Sequence, residues 1–174
     1  MKEKTVFLTC GTRGAGKSTY CKGVLKHRPD LIIISRDEIL IELFGETELS
    51  PYGGGHYHAM DIMWKMVREH LSSDGNNVQI ILDCWNGFPE ERKHIINELR
   101  KSGADKIVAW RFITPLNSVI EWFDKKNRSK FNGKEMNKSR SRQDFSLFNK
   151  MAKNIENEGF DEVVYINPLQ GVLI

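Results

Sequence analysis

Apolar residues in this chain gather into five short, nearly continuous runs separated by longer stretches of mixed character. The runs are Thr5 to Cys10 (TVFLTC), Leu31 to Ser35 (LIIIS), Val78 to Asp83 (VQIILD), Lys106 to Phe112 (KIVAWRF) and Glu162 to Ile166 (EVVYI). Each is five to seven residues long, rich in β-branched and aromatic side chains, and lacks the alternation of a half-solvated strand. They read as strands buried on both faces. Between them, helical spacing predicts helices over Lys17 to His27, Arg36 to Phe44, Tyr57 to Ser73, Pro89 to Lys101, Leu116 to Asn127 and Gln143 to Glu158. Strands alternating with helices imply a parallel, doubly wound α/β sheet with right-handed crossovers.

Two stretches break the rhythm. Gly45 to Gly55 (GETELSPYGGG) is turn-rich and predicts a loop. Asn127 to Arg142 is polar, carries Asn132-Gly133, and predicts a loop or lid between two helices. Between Lys125 and Arg142 stand Lys125, Lys126, Arg128, Lys130, Lys134, Lys138, Arg140 and Arg142 against Glu135 alone. The net charge of +3 is therefore concentrated in one segment, although its size alone demands no nucleic-acid partner.

With 174 residues, 40% hydrophobic and 28% charged, the chain is expected to form one domain around a single core. No apolar run approaches the length of a membrane span, and the opening residues do not resemble a secretory signal, so a cytoplasmic location is expected. Cys10, Cys21 and Cys84 form no C-x-x-C pair and are expected to be buried, reduced thiols.

The first predicted strand runs directly into Gly11-Thr12-Arg13-Gly14-Ala15-Gly16-Lys17-Ser18, a full G-x-x-x-x-G-K-S pattern that opens the first helix. That chemistry needs glycines so that backbone amides can turn inward around phosphates, with the helix pointing its positive end at them. Lys17 would reach the β and γ phosphates of ATP, Ser18 would hold magnesium, and Thr19 would support the α-phosphate. The expected architecture is accordingly a three-layer P-loop NTPase/kinase fold: a five-stranded parallel, doubly wound sheet with a basic lid.

In such a sheet ligands bind beyond the carboxyl ends of the strands. Two acids stand there, Asp37 after LIIISR and Asp83 at the end of VQIILD. Asp37, beside Arg36, is the candidate base for an attacking hydroxyl, although an Asp there could equally cap a helix beginning at Glu38. Asp83 could coordinate magnesium through water or pair with a lid arginine, or serve only as a turn acid before Asn86-Gly87. Arg128, Arg140 and Arg142 are the candidates to neutralise charge on a transferred phosphoryl group, the alternative being a solvated charged face. His56, His58 and Asp61 match no zinc spacing; Tyr52, His56 and Tyr57 are better placed to line an acceptor pocket. Trp64, Trp85, Trp110 and Trp122 fall on separate elements, as core or pocket wall rather than a stacking track.

The sequence L-T-C-G-T-R-G-A-G-K-S-T-Y, then I-S-R-D-E, I-L-D and K-K-N-R-S-K, resembles the kinase domain of the polynucleotide 5′-hydroxyl kinases of phage and bacterial RNA repair. The resemblance covers most of the chain. It implies Asp37 as base, Asp83 as the acid organising the site, and Lys126, Asn127 and Arg128 as the start of the lid, with Arg140 or Arg142 competing. It also implies an acceptor with a 5′-hydroxyl at a nucleic-acid end. Where the phage pattern has an arginine three positions after the base, this chain has Leu40. The same broad group includes zeta-toxin-like kinases of nucleotide sugars and kinases of small metabolites or modified bases. A nucleotide-dependent switch that hydrolyses ATP without an acceptor stays open as another class.

Overall fold

A computed structural model describes residues 3–47, 53–73, 77–127 and 134–172. Thr5–Cys10 (β1), Ile32–Ser35 (β2), Gln79–Asp83 (β3), Lys106–Phe112 (β4) and Glu162–Ile166 (β5) form one sheet in the order β2-β3-β1-β4-β5, every pair parallel. The most continuously buried strand takes the middle. β1 is buried along nearly its whole length between β3 and β4, whereas β5 sits at an edge with half of Tyr165 exposed. This is the relation between continuous hydrophobicity and two-sided burial that a parallel sheet requires.

Helices cover both faces. On one face lie Lys17–His27 (α1), which buries Tyr20, Cys21 and Val24 against Ile81, Phe112 and Ile166. Trp110 belongs to this layer, 4.9 Å from the Phe7 ring and edge-on to Tyr20 at 5.8 Å. The other face carries Arg36–Phe44 (α2), Gly55–Ser72 (α3), Pro89–Lys101 (α4) and the later part of Lys134–Met151 (α6); Leu116–Asn127 (α5) packs against α6. α3 shows why it forms: Ala59, Met63, Val67 and Leu71 recur every fourth residue, and all four are buried on Leu8, Leu82 and their neighbours. The thiols of Cys10, Cys21 and Cys84 are buried, and burial pushes each up to about 12.

Most predicted elements stand where the pattern placed them, with shifts of one or two residues at the starts of β2, β3 and α3. The basic segment does not. Residues from Lys134 onward are helical rather than a loop, α6 stops at Met151 rather than Glu158, and a 3-10 turn, Ile155–Asn157, follows. Arg140 and Arg142 therefore ride on a helix. Lys134, Glu135, Met136, Lys138 and Arg140 are good helix formers by propensity, but the segment lacks the apolar stripe from which a helical period is read. Arg128 and Tyr52, and the centre of the predicted Gly45 to Gly55 loop, lie outside the described residues.

One buried ion pair ties this layer together. Arg92 on α4 is 0% exposed, and its guanidinium donates to both Glu158 oxygens at 2.5 and 2.7 Å, to Asn86 O at 2.9 Å and to Met151 O at 2.7 Å. Substituting Glu158→Ala leaves that guanidinium buried without its counter-charge, and should cost about 3–5 kcal/mol of unfolding free energy in urea titrations. An Arg92→Met/Glu158→Leu double variant should recover most of the loss, because both charges leave together.

Candidate active site

Three neighbouring strand ends build the site. Because β1 lies beside β3 and β3 beside β2, the residues leaving these strands share one edge of the sheet. β1 ends in the phosphate loop, β3 ends at Asp83, and β2 runs through Ser35 into Arg36 and Asp37; Ser35 and Asp83 are register partners.

The loop Gly11 to Ser18 closes on α1 through two left-handed residues, Gly14 (φ 75) and Gly16 (φ 81). Neither position has room for more. A Cβ at Gly16 would stand 2.7 Å from the Trp122 ring, and one at Gly14 would stand 2.8 Å from the Val119 carbonyl, so α5 backs the loop directly. Ala15 is buried, and its carbonyl accepts from Thr114 Oγ1 at 2.7 Å. Lys17 Nζ donates to the carbonyls of Gly11 and Thr12 at 3.0 and 3.1 Å, folding its charge over the loop. The first turn of α1 has no acidic residue of its own. Thr19 follows on the exposed side of the same turn.

Asp83 is held from two sides. Its Oδ1 accepts from Thr9 Oγ1 at 2.6 Å and its Oδ2 from Ser18 Oγ at 3.2 Å, while the residue itself is 9% exposed. A buried carboxylate beside the P-loop hydroxyl offers hard oxygen donors, the kind magnesium takes when phosphate oxygens and water complete its shell. The sequence pattern named Ser18 and Asp83 but not Thr9, whose hydroxyl meets Asp83 only because β1 and β3 run in register. Asn86 was also missed: its amide donates to Thr9 O at 2.8 Å and to Cys84 O at 3.0 Å, pinning the β3–α4 turn under the site.

Asp37 does not cap its helix. Ser35 is the N-cap, accepting from Glu38 N at 3.4 Å, and Asp37 sits within the first turn. Its side chain is 45% exposed, and Oδ1 accepts from Arg36 Nη2 at 2.9 Å. Leu40, one turn further on, is fully buried in the core.

Arg13 reaches outward from the loop. Its Nε lies 3.6 Å from Asp144 Oδ2 on α6, and its guanidinium carbon is 5.8 Å from the Trp85 ring centroid. These contacts bring the basic helix to the phosphate loop through an acid of α6. Arg140 is half-buried and Arg142 exposed; among the described residues neither bonds to the loop. His56, at the start of α3, is half-buried and Tyr57 is 76% exposed. Among the described residues no group of three or more His, Cys, Asp and Glu is placed to hold a metal, and no helix is long and apolar enough to cross a membrane.

No curated protein matches the sequence. Solved structures do match the fold. A chain of the Pnkp1/Rnl/Hen1 RNA repair complex superposes with a TM-score of 0.71 at 19% identity, covering 88% of this chain and 46% of that one. A fungal RNA kinase gives 0.60 at 15% identity, covering 96% and 76%, and shikimate kinase from Acinetobacter baumannii in complex with shikimate gives 0.53 at 16%, covering 95% and 84%. The chain thus spans about half the length of the repair-complex chain. At these identities the likeness establishes the fold, that of the P-loop kinases.

Gly16→Ala should remove measurable binding of ATP with magnesium in titration calorimetry, since a non-glycine left-handed residue costs about 1–2 kcal/mol even before the Trp122 contact. Trp122→Ala in the same background should not restore it. A model of the AAA domain family matches residues 6–156, most of the chain, and the protein belongs to that family.

Proposed function

We propose that this protein is an ATP-dependent phosphotransferase that moves the γ-phosphate to a 5′-hydroxyl at a polynucleotide end. The observation that carries the phosphotransfer reading is the convergence of Ser18, buried Asp83 and half-exposed Asp37 on adjacent strand ends around a P-loop. Lys17 and the loop amides would bind the phosphates, and Ser18 with Asp83 would hold magnesium. Bound there, magnesium supplies neutralisation of phosphate charge. Asp37 would accept the proton of the attacking hydroxyl, its carboxylate oriented by Arg36. Arg128, with Arg140 or Arg142, would offset charge on the transferred group.

Support for a polynucleotide acceptor comes from the I-S-R-D-E and K-K-N-R-S-K segments, from the fold likeness to a chain of an RNA repair complex and to a fungal RNA kinase, and from the basic charge before and along α6. A second reading, a small-molecule kinase, is favoured by one observation. The position that carries an acceptor-binding arginine in the phage pattern is Leu40, which is fully buried and cannot reach an acceptor phosphate. Shikimate kinase shares the fold.

Incubation with γ-labelled ATP and magnesium should label 5′-hydroxyl RNA or DNA oligonucleotides, and Lys17→Ala should abolish the label. Asp37→Ala should lower transfer by roughly 10²–10⁴-fold while leaving ATP affinity nearly unchanged. Label appearing only in a pool of nucleosides, nucleotide sugars and small hydroxy acids would transfer the assignment to the second reading. Free phosphate alone would support the switch.

A further inference from the structure

Next to the phosphate loop, on the side of α6, lies a cavity of about 160 Å³ lined by Thr12, Arg111, Pro115, Phe145, Phe148 and Asn149 among others. Its walls are mostly carbon, but two of the residues lining it carry polar atoms that are unaccounted for. Arg111 Nη1 and Thr12 Oγ1 are both buried and have no hydrogen-bond partner among the described residues, although Arg111 is only 6% exposed and Thr12 4%. Buried donors are normally satisfied, so an orphan pair lining one cavity points to what the cavity takes.

The charge balance sharpens this. Two guanidinia flank the Phe148 ring, Arg92 at 6.0 Å and Arg111 at 4.6 Å from its centroid. Arg92 has both oxygens of Glu158. Arg111 makes no ion pair among the described residues; Nη2 donates to Asn149 Oδ1 at 2.7 Å, and Asn149 is itself fixed by donating to Phe145 O at 2.9 Å. Burial, with the like charge of Arg92 behind it, lowers the Arg111 pKa. A guanidinium taken out of water normally has an anion beside it.

We propose that this cavity is a binding site for a small monocarboxylate, its oxygens accepting from Arg111 Nη1 and Thr12 Oγ1 and its compact apolar body lying against Phe145, Phe148 and Pro115. One positive charge and two donors match a carboxylate, whereas a phosphate has more charge and more acceptor oxygens than this pair satisfies. The volume is close to the roughly 150 Å³ cavity that accommodates benzene elsewhere, which limits the body to about one ring. Since Thr12 belongs to the phosphate loop and Phe145, Phe148 and Asn149 to α6, an occupant joins the loop to the helix that carries Arg140 and Arg142.

Thermal unfolding of the full chain with sodium benzoate, its neutral isostere benzamide, and inorganic phosphate tests the site. Benzoate at roughly ten times its dissociation constant should raise Tm by about 3–5 °C, and benzamide should not. The rise should persist when ATP and magnesium are already bound. Arg111→Met keeps the length of the stem and removes the buried charge, so it should fold; in it the benzoate shift should vanish while any phosphate shift, arising at the P-loop, remains. No benzoate shift at 50 mM, an equal shift with benzamide, loss of the shift on adding ATP, or an undiminished shift in Arg111→Met would each overturn the proposal. The benzamide and ATP comparisons use the unmodified chain, so the outcome does not depend on the variant folding.

Discussion

The buried acid beside the phosphate loop is tied to one buried cation. Arg92 takes the carboxylate of Glu158, and the same guanidinium donates to the Asn86 carbonyl. Asn86 in turn donates to the Thr9 carbonyl, Thr9 gives its hydroxyl to Asp83, and Asp83 receives Ser18 from the first turn of α1. The path runs unbroken from the segment before β5, through α4 and two strand ends, to the residue proposed to hold magnesium. A charge excluded from water cannot tolerate a missing partner, so each group along the path is constrained in orientation as well as in position. The carboxylate beside the P-loop is presented in one geometry because of ion pairing on the far side of the turn.

Strand order does the remaining work. Interposing β3 between β2 and β1 sets Asp83 between the loop and the Arg36-Asp37 pair. The two carboxylates then differ by environment. Asp83 is buried and doubly hydrogen-bonded, whereas Asp37 is nearly half exposed and oriented by its neighbour. One suits a fixed metal ligand, the other a group that must meet an incoming hydroxyl. On the opposite side Arg13 joins the loop to Asp144 and Trp85, so loop and basic helix are connected through a residue that the consensus pattern leaves variable.

Much of this was legible in the sequence because it depends on local chemistry. The continuous apolar runs, the glycine spacing and the acids at the ends of VQIILD and LIIISR are all short-range features, and they placed the strands, the phosphate loop, Asp83 and Asp37. What escaped depends on tertiary neighbours. Arg92 sits in the charged stretch P-E-E-R-K-H and gives no sign of burial until Glu158, far along the chain, folds onto it. Thr9 looks like one more β-branched strand residue. The basic segment reads as a loop or lid in the sequence because a polar helix lacks the hydrophobic period by which helices are recognised; its helicity shows in residue propensity, a weaker signal. Arg111 lies inside an apolar strand, and its orphaned donor is a property of the packed layer rather than of the run KIVAWRF.

The pairing of β1 also has a kinetic meaning. Thr5 lies opposite Gln79 on one side and Lys106 on the other, so β1 gains its first partner only once β3 exists and its second only once β4 does. The glycine loop that follows it leans on Val119, Trp122 and Phe123, which are made later still. The phosphate loop is therefore encoded well before the helix that shapes it, a high-contact-order arrangement in which loop closure precedes the stabilising contacts. A nascent chain lacking α5 has the complete glycine-loop signature but no Val119, Trp122 and Phe123 surface to shape it, and one that stops short of β3 leaves an apolar strand with both edges open for chaperones to cover.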